Sequence, residues 1–216
     1  MTELSRDRLL RRGLRLEYLT VGWNVVEGLV SIGAALASGS VALLGFGVDS
    51  FVESVSEGVL IWRLRTEERG ELDEEAIERV EHRAERLVAI SLLLLGAYIL
   101  VDAVWSLVQG DRPSASPVGI VVTALSLGVM GFLARAKRTT GEALGSRALI
   151  IDAFQTTTCL WLSATTLVGL AANALLGWWW ADPVAAIVIA LLVLRESIEA
   201  WRGEKELPEA VDEPAV

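Results

Sequence analysis

The chain has little with which to do covalent chemistry. Of its 216 residues one is cysteine and one is histidine, and a single cysteine excludes an intramolecular disulfide. The lone His82 lies in a charge-rich stretch, where a solvated side chain is the plain expectation. No nucleophile is paired with a base, no phosphate-cradling loop is present, and no cofactor fingerprint occurs. The sequence therefore points away from an enzyme, from a permanently bound cofactor and from a nucleic-acid partner. Soluble sequence is scarce as well: residues 63–86 are its one sizeable polar piece.

What the chain has instead is apolar length. Hydrophobic residues make up 53% of it and the mean hydropathy is +0.49, too apolar for an ordinary soluble domain. A helix needs roughly 20 apolar residues to cross about 30 Å of hydrocarbon. Six windows meet that length: 18–37, 41–62, 87–108, 117–136, 147–172 and 183–201. The expected fold is all-α, an integral membrane bundle of six transmembrane helices over 18–201. A cytoplasmic arm (1–17) precedes it, a cytoplasmic helical loop (63–86) interrupts it, and a short disordered tail (202–216) follows.

Lysine and arginine set the orientation. They crowd 1–17, 63–86, 135–147 and the segment after 201, whereas the alternate loops hold only Arg112. Both termini are thus expected in the cytoplasm, with the plasma (inner) membrane as the location. The first window is no cleavable signal, because Asn24 and Glu27 interrupt it. Trp62 and Trp201 fall at cytoplasmic ends and Trp105, Trp178, Trp179 and Trp180 at outer ends, as interfacial belts do. Trp161, deep in the fifth window, is expected to pack.

The charges inside the windows carry the chemistry. Asp49, Glu53 and Glu57 stand at i, i+4, i+8 in the second window and so share one helix face. At the α-helical rise they lie roughly 12, 18 and 24 Å from its outer end. An ionised carboxylate at bilayer depth costs about 2.5 kcal/mol or more on insertion scales and usually faces a water-filled path or a cation. For Asp49 and Glu53 the expected counter-charge is a proton or a metal ion. The fifth window carries Asp152, Gln155 and Cys159 at i, i+3, i+7. Antiparallel packing of the two helices would set Asp152 opposite Glu57, Gln155 near Glu53 and Cys159 near Asp49.

Carboxylate and thiolate together suit zinc or a similar borderline ion, whose bonds run about 2.0 to 2.3 Å. Alone, Cys159 is equally a small buried side chain. Asn24, Glu27 and Glu57 are expected to line the ion path, and Asp182 to cap its own helix ahead of Pro183. Three readings remain open on these residues: a divalent-metal transporter, an organic-cation transporter whose Asp49 and Glu53 pair with an ammonium, and a non-transporting membrane metal sensor or partner protein.

The run from Ser40 to Glu53, with Gly45-Phe46-Gly47-Val48-Asp49 inside it, resembles the second-helix motif of the cation diffusion facilitator family. In that motif His or Asp, three residues, then Asp binds zinc or a related ion. Ser146 to Cys159 resembles the fifth-helix motif, where an Asp-Ala pair precedes His, three residues, then Asp. Gln155 stands where the family usually has histidine and Cys159 where it has aspartate. The resemblance covers nearly the whole chain and fits best a compact branch similar to transmembrane protein 163, without the family's C-terminal cytoplasmic domain. It implies a metal site of Asp49, Glu53, Asp152, Gln155 and Cys159. It also implies efflux of a divalent cation, zinc foremost and Co, Cd, Fe or Mn beside it, by proton antiport with alternating access in a homodimer.

Overall fold

The computed structural model describes residues 3–69 and 74–202. Six helices follow one another: α1 Glu3–Ser38, α2 Val41–Glu68, α3 Glu74–Gln109, α4 Pro117–Leu144, α5 Arg147–Leu176 and α6 Ala181–Arg202. No strand occurs among the described residues. Four helices, α1, α3, α4 and α5, hold stretches long and apolar enough to cross a bilayer, and Leu29, Leu36, Val101, Val108 and Leu175 stand largely exposed on their outer faces. The chain is an integral, multi-pass membrane protein. Its second helix packs against α1, α3, α5 and α6. With Asp49, Glu53 and Glu57 all buried, α2 turns its acids to protein rather than to lipid, which is how so charged a helix can occupy the middle of the bundle.

The helices outrun the apolar windows, because hydropathy stops at the membrane edge while the backbone continues as an amphipathic helix. Residues 3–17, expected as an arm, are the first turns of α1, and they bury Leu10, Leu14, Leu16 and Glu17. Of the loop at 63–86, residues 63–68 complete α2 and 74–86 begin α3. The side chain of His82 and the tail at 203–216 lie outside the described residues. Trp161, expected to pack, is 65% exposed on the outer face of α5.

Connections are short where the bundle needs hairpins. The α1–α2 turn rests on Gly39 at φ 75°, a conformation glycine adopts without a Cβ clash. Gly145, at φ 70°, closes α4, and Ser146 immediately caps α5 by accepting from the Leu149 N–H. At Gly47 α1 and α2 nearly touch: a Cβ there would lie 2.9 Å from the Ser31 and Ile32 side chains.

Asp182 corrects an expectation. Although it lies in the first turn of α6, its carboxylate caps α2. The Val41 N–H donates to Oδ2 at 3.0 Å, and the Ser40 hydroxyl donates to Oδ1. The first N–H groups of α2 have no intrahelical acceptor, and an anion there also meets the positive end of the helix dipole. Packing of α6 beside the start of α2 makes that demand stronger than the need of α6 itself, whose proline removes one N–H in any case.

Asp182→Ala is expected to destabilise the protein by about 1–3 kcal/mol, the cost of leaving buried donors unpaired. Unfolding in detergent measures it, and unchanged stability would remove the cap.

Candidate metal centre

The first helix is amphipathic in reverse. Glu17, Thr20, Asn24, Glu27 and Ser31 recur at helical spacing along one stripe, and each is no more than 1% exposed. Leu19, Val26, Leu29 and Leu36 point outward instead. A water-soluble helix would show the opposite pattern; here lipid takes the apolar face and the bundle interior takes the polar one. That interior is walled by α1, α2, α5 and α4, each packed on the next and α4 again on α1, while α3 pairs with α6 behind α2.

Along all four wall helices the residues fall in the same order. At the arginine-rich end Leu10, Leu14, Leu60, Leu64, Leu144 and Leu149 form an apolar layer. Next come Glu17, Glu57, Lys137 and Asp152, then Asn24, then Glu27, Glu53, Asp49, Ser126 and Cys159. A second apolar layer, including Ala35, Leu43, Phe46 and Leu170, closes the far end. The polar interior therefore lies between two greasy seals.

The central set gathers around two carboxylates. Glu27 accepts from the Trp23 indole, from Ser50 at 3.0 Å and from Ser126 at 2.5 Å, and Ser163 supports Ser126 at 3.2 Å. Cys159 is buried against Leu16, Met130, Leu133 and Ala136. Asp49, Glu53, Cys159 and Glu27 are all buried in the bundle interior, although among the described residues it is Glu17, Glu57 and Asp152 that bring three candidate ligand atoms within 4.8 Å of one another. Oxygen and sulfur side chains of α1, α2 and α5 are buried at this level, the donor types that suit a borderline divalent cation.

The inner set surrounds an ammonium. Lys137 Nζ lies 2.6 Å from Asp152 Oδ2, 3.0 Å from Glu17 Oε2 and 3.6 Å from Glu57 Oε1. The three acids come from α5, α1 and α2, so one lysine of α4 ties all four walls at one depth. Lys137 and Glu17 are wholly buried. The ligand oxygens of Glu17, Glu57 and Asp152 also lie within 4.8 Å of one another. Asn24 joins the two sets, its Nδ2 donating at 3.3 Å to Glu53 and to both oxygens of Glu57.

The five residues expected to share one site are thus distributed. Asp49, Glu53 and Cys159 belong to the central set, Asp152 to the inner one beside Glu57, and Gln155 is half-buried on α5 between them. Of the path residues, Glu27 stands in the central set and Asn24 bridges. Two charged participants, Glu17 and Lys137, lie outside the residues that the sequence pattern singles out. Glu17 fell just outside an apolar window, yet it begins the stripe that Asn24 and Glu27 continue. Lys137 fell just past another window and was counted with the orienting loop charges, although Thr123, Ser126, Met130 and Lys137 share one face of α4 at helical spacing.

A lipid-facing helix bundle that encloses a carboxylate-lined interior defines an integral membrane protein with a polar core. Residues 18–202 match the cation efflux transmembrane domain, and the chain belongs to the cation diffusion facilitator family. It is 23% identical over 185 residues to magnetosome protein MamB of Magnetospira sp., an alignment covering 84% of this chain and 61% of that protein. Over 195 residues it is 25% identical to an uncharacterized transporter of Synechocystis sp., covering 89% and 61%. Magnetosome protein MamB of Paramagnetospirillum magneticum is 28% identical over 167 residues, covering 76% and 56%. The chain therefore spans about three-fifths of the length of these curated relatives.

Asn24→Ala removes the donor shared by Glu53 and Glu57. Two buried carboxylates lose a partner, so an unfolding penalty of about 1–3 kcal/mol is expected. Denaturation in detergent, with Asn24→Gln as the variant that keeps an amide, tests the bridge; equal stability of wild type and Asn24→Ala would rule it out.

Proposed function

We propose that the protein exports a divalent metal cation, zinc foremost, through the site formed by Asp49, Glu53 and Cys159. The observation that carries this reading is the burial of Asp49, Glu53, Glu27 and Cys159 in the interior of the bundle, between apolar layers at both ends. Two carboxylates and a thiol supply the charge and softness that zinc selects. Family membership supports the same substrate class.

In this reading the cation enters when one apolar layer parts and leaves when the other does, with the wall helices shifting around a site that keeps its ligands. Metal binding requires deprotonated ligands and release favours their reprotonation, so exchange for protons provides the coupling. Gln155, half-buried between the two sets, completes the coordination from α5 as the helices move. The working unit is a homodimer in the plasma (inner) membrane with both termini in the cytoplasm.

Uptake of Zn²⁺ into everted vesicles, with an imposed pH gradient, tests the proposal. Asp49→Ala and Glu53→Ala are each expected to abolish metal-dependent uptake while insertion persists, and collapsing the gradient should slow wild type. Wild-type uptake by a folded double variant would overturn the assignment.

Selectivity is assigned to sulfur. Because softer ions gain more from thiolate than from carboxylate, Cys159→Asp should lower the preference for Cd²⁺ over Mn²⁺ in competition uptake. An unchanged ranking across wild type, Cys159→Ala and Cys159→Asp would remove Cys159 from the ligands.

A further inference from the structure

The inner set is more than a brace. Glu17, Glu57 and Asp152 face a single ammonium, so when all three are ionised the cluster lacks two positive charges, the charge of one divalent ion. Two oxygens at or next to this level also lack donors. Glu17 Oε1 and Asn24 Oδ1 are both buried without a hydrogen-bond partner among the described residues, and native proteins rarely leave buried polar atoms so. Both atoms are acceptors, and what they lack is a donor or a cation.

Place and chemistry agree. The cluster lies one layer toward the arginine-rich end from the Asp49–Glu53 site, and the Asn24 amide contacts carboxylates of both. A cation moving along the interior from one would meet the other next. The donors are oxygens drawn from three helices, within 4.8 Å of one another where the carboxylates are concerned. Lys137 reaches their centre on a flexible four-carbon stem. Its ammonium sits where a metal bound by these oxygens would sit.

We propose that Glu17, Glu57 and Asp152 form a second divalent-cation site, and that the Lys137 ammonium is its resident occupant, displaced when the metal arrives. The proposal rests on the transport reading for its role. The site's all-oxygen donors make it the harder of the two, so Mn²⁺ and Zn²⁺ are closer competitors here than at Cys159.

Equilibrium binding of Zn²⁺ to the purified full chain in detergent tests it by counting equivalents. Wild type is expected to take one equivalent tightly and a second only at higher metal, where Lys137 must be displaced. Lys137→Met should bind both tightly, Glu17→Gln should lose the second and keep the first, and Lys137→Met with Glu17→Gln should also stop at one. Lys137→Met saturating at one equivalent would overturn the proposal. If that variant does not fold, wild type and Glu17→Gln decide alone: a second equivalent absent from wild type, or present in Glu17→Gln, sinks it. Failure of the Asp49–Glu53 reading looks different, since Asp49→Asn with Glu53→Gln would then leave the first, tight equivalent in place.

Discussion

One ammonium group fixes the geometry of the polar interior. Lys137 comes from α4, and the acids around it come from α1, α2 and α5, so its position sets the mutual depth of four helices at once. Pairing of this kind contributes little net stability over a well-packed apolar alternative, yet it penalises any register that leaves one of the charges alone. A slip of one turn in any wall helix would separate a carboxylate from the lysine by about 5.4 Å. The layered order of the interior follows: once these four residues share a level, Asn24, Glu53 and Cys159 have their levels assigned, and so do the leucines below.

The same arrangement divides labour within the bundle. The four wall helices hold every member of both polar sets, while α3 and α6 contribute to the apolar layer at the far end. That asymmetry separates two kinds of contact, because the apolar layers are held by non-directional contacts and the polar sets by hydrogen bonds and charge. Its one conspicuous exception is Asp182, a carboxylate of α6 that serves α2.

Much of this was legible in the sequence. Window length gave the helix count, because the thickness of the hydrocarbon dictates how many apolar residues a crossing needs, and i, i+4 spacing put Asp49 and Glu53 on one face whatever they contact. The antiparallel depth argument also brought Asp152 to Glu57. Residues at the window edges were harder to read. Hydropathy treats a charge at the end of an apolar run as the place where the membrane stops, and Glu17 and Lys137 were set outside for that reason. The two pair in the fold, a contact across 120 positions of sequence that no local pattern encodes. The partner of Asp182 was hidden for the same reason: its spacing fits an ordinary cap on its own helix, and only packing shows a hungrier helix end nearby.

That cap has a bearing on biogenesis. Ser40 and Asp182 are 142 positions apart, so the ribosome delivers the start of α2 long before the group that completes it. Until α6 is in the bilayer, the hairpin of α1 and α2 carries exposed amide hydrogens at its tip and must keep that tip in contact with water. Docking of α6 brings Asp182 to that tip, so the first hairpin is completed by a helix from the far end of the domain.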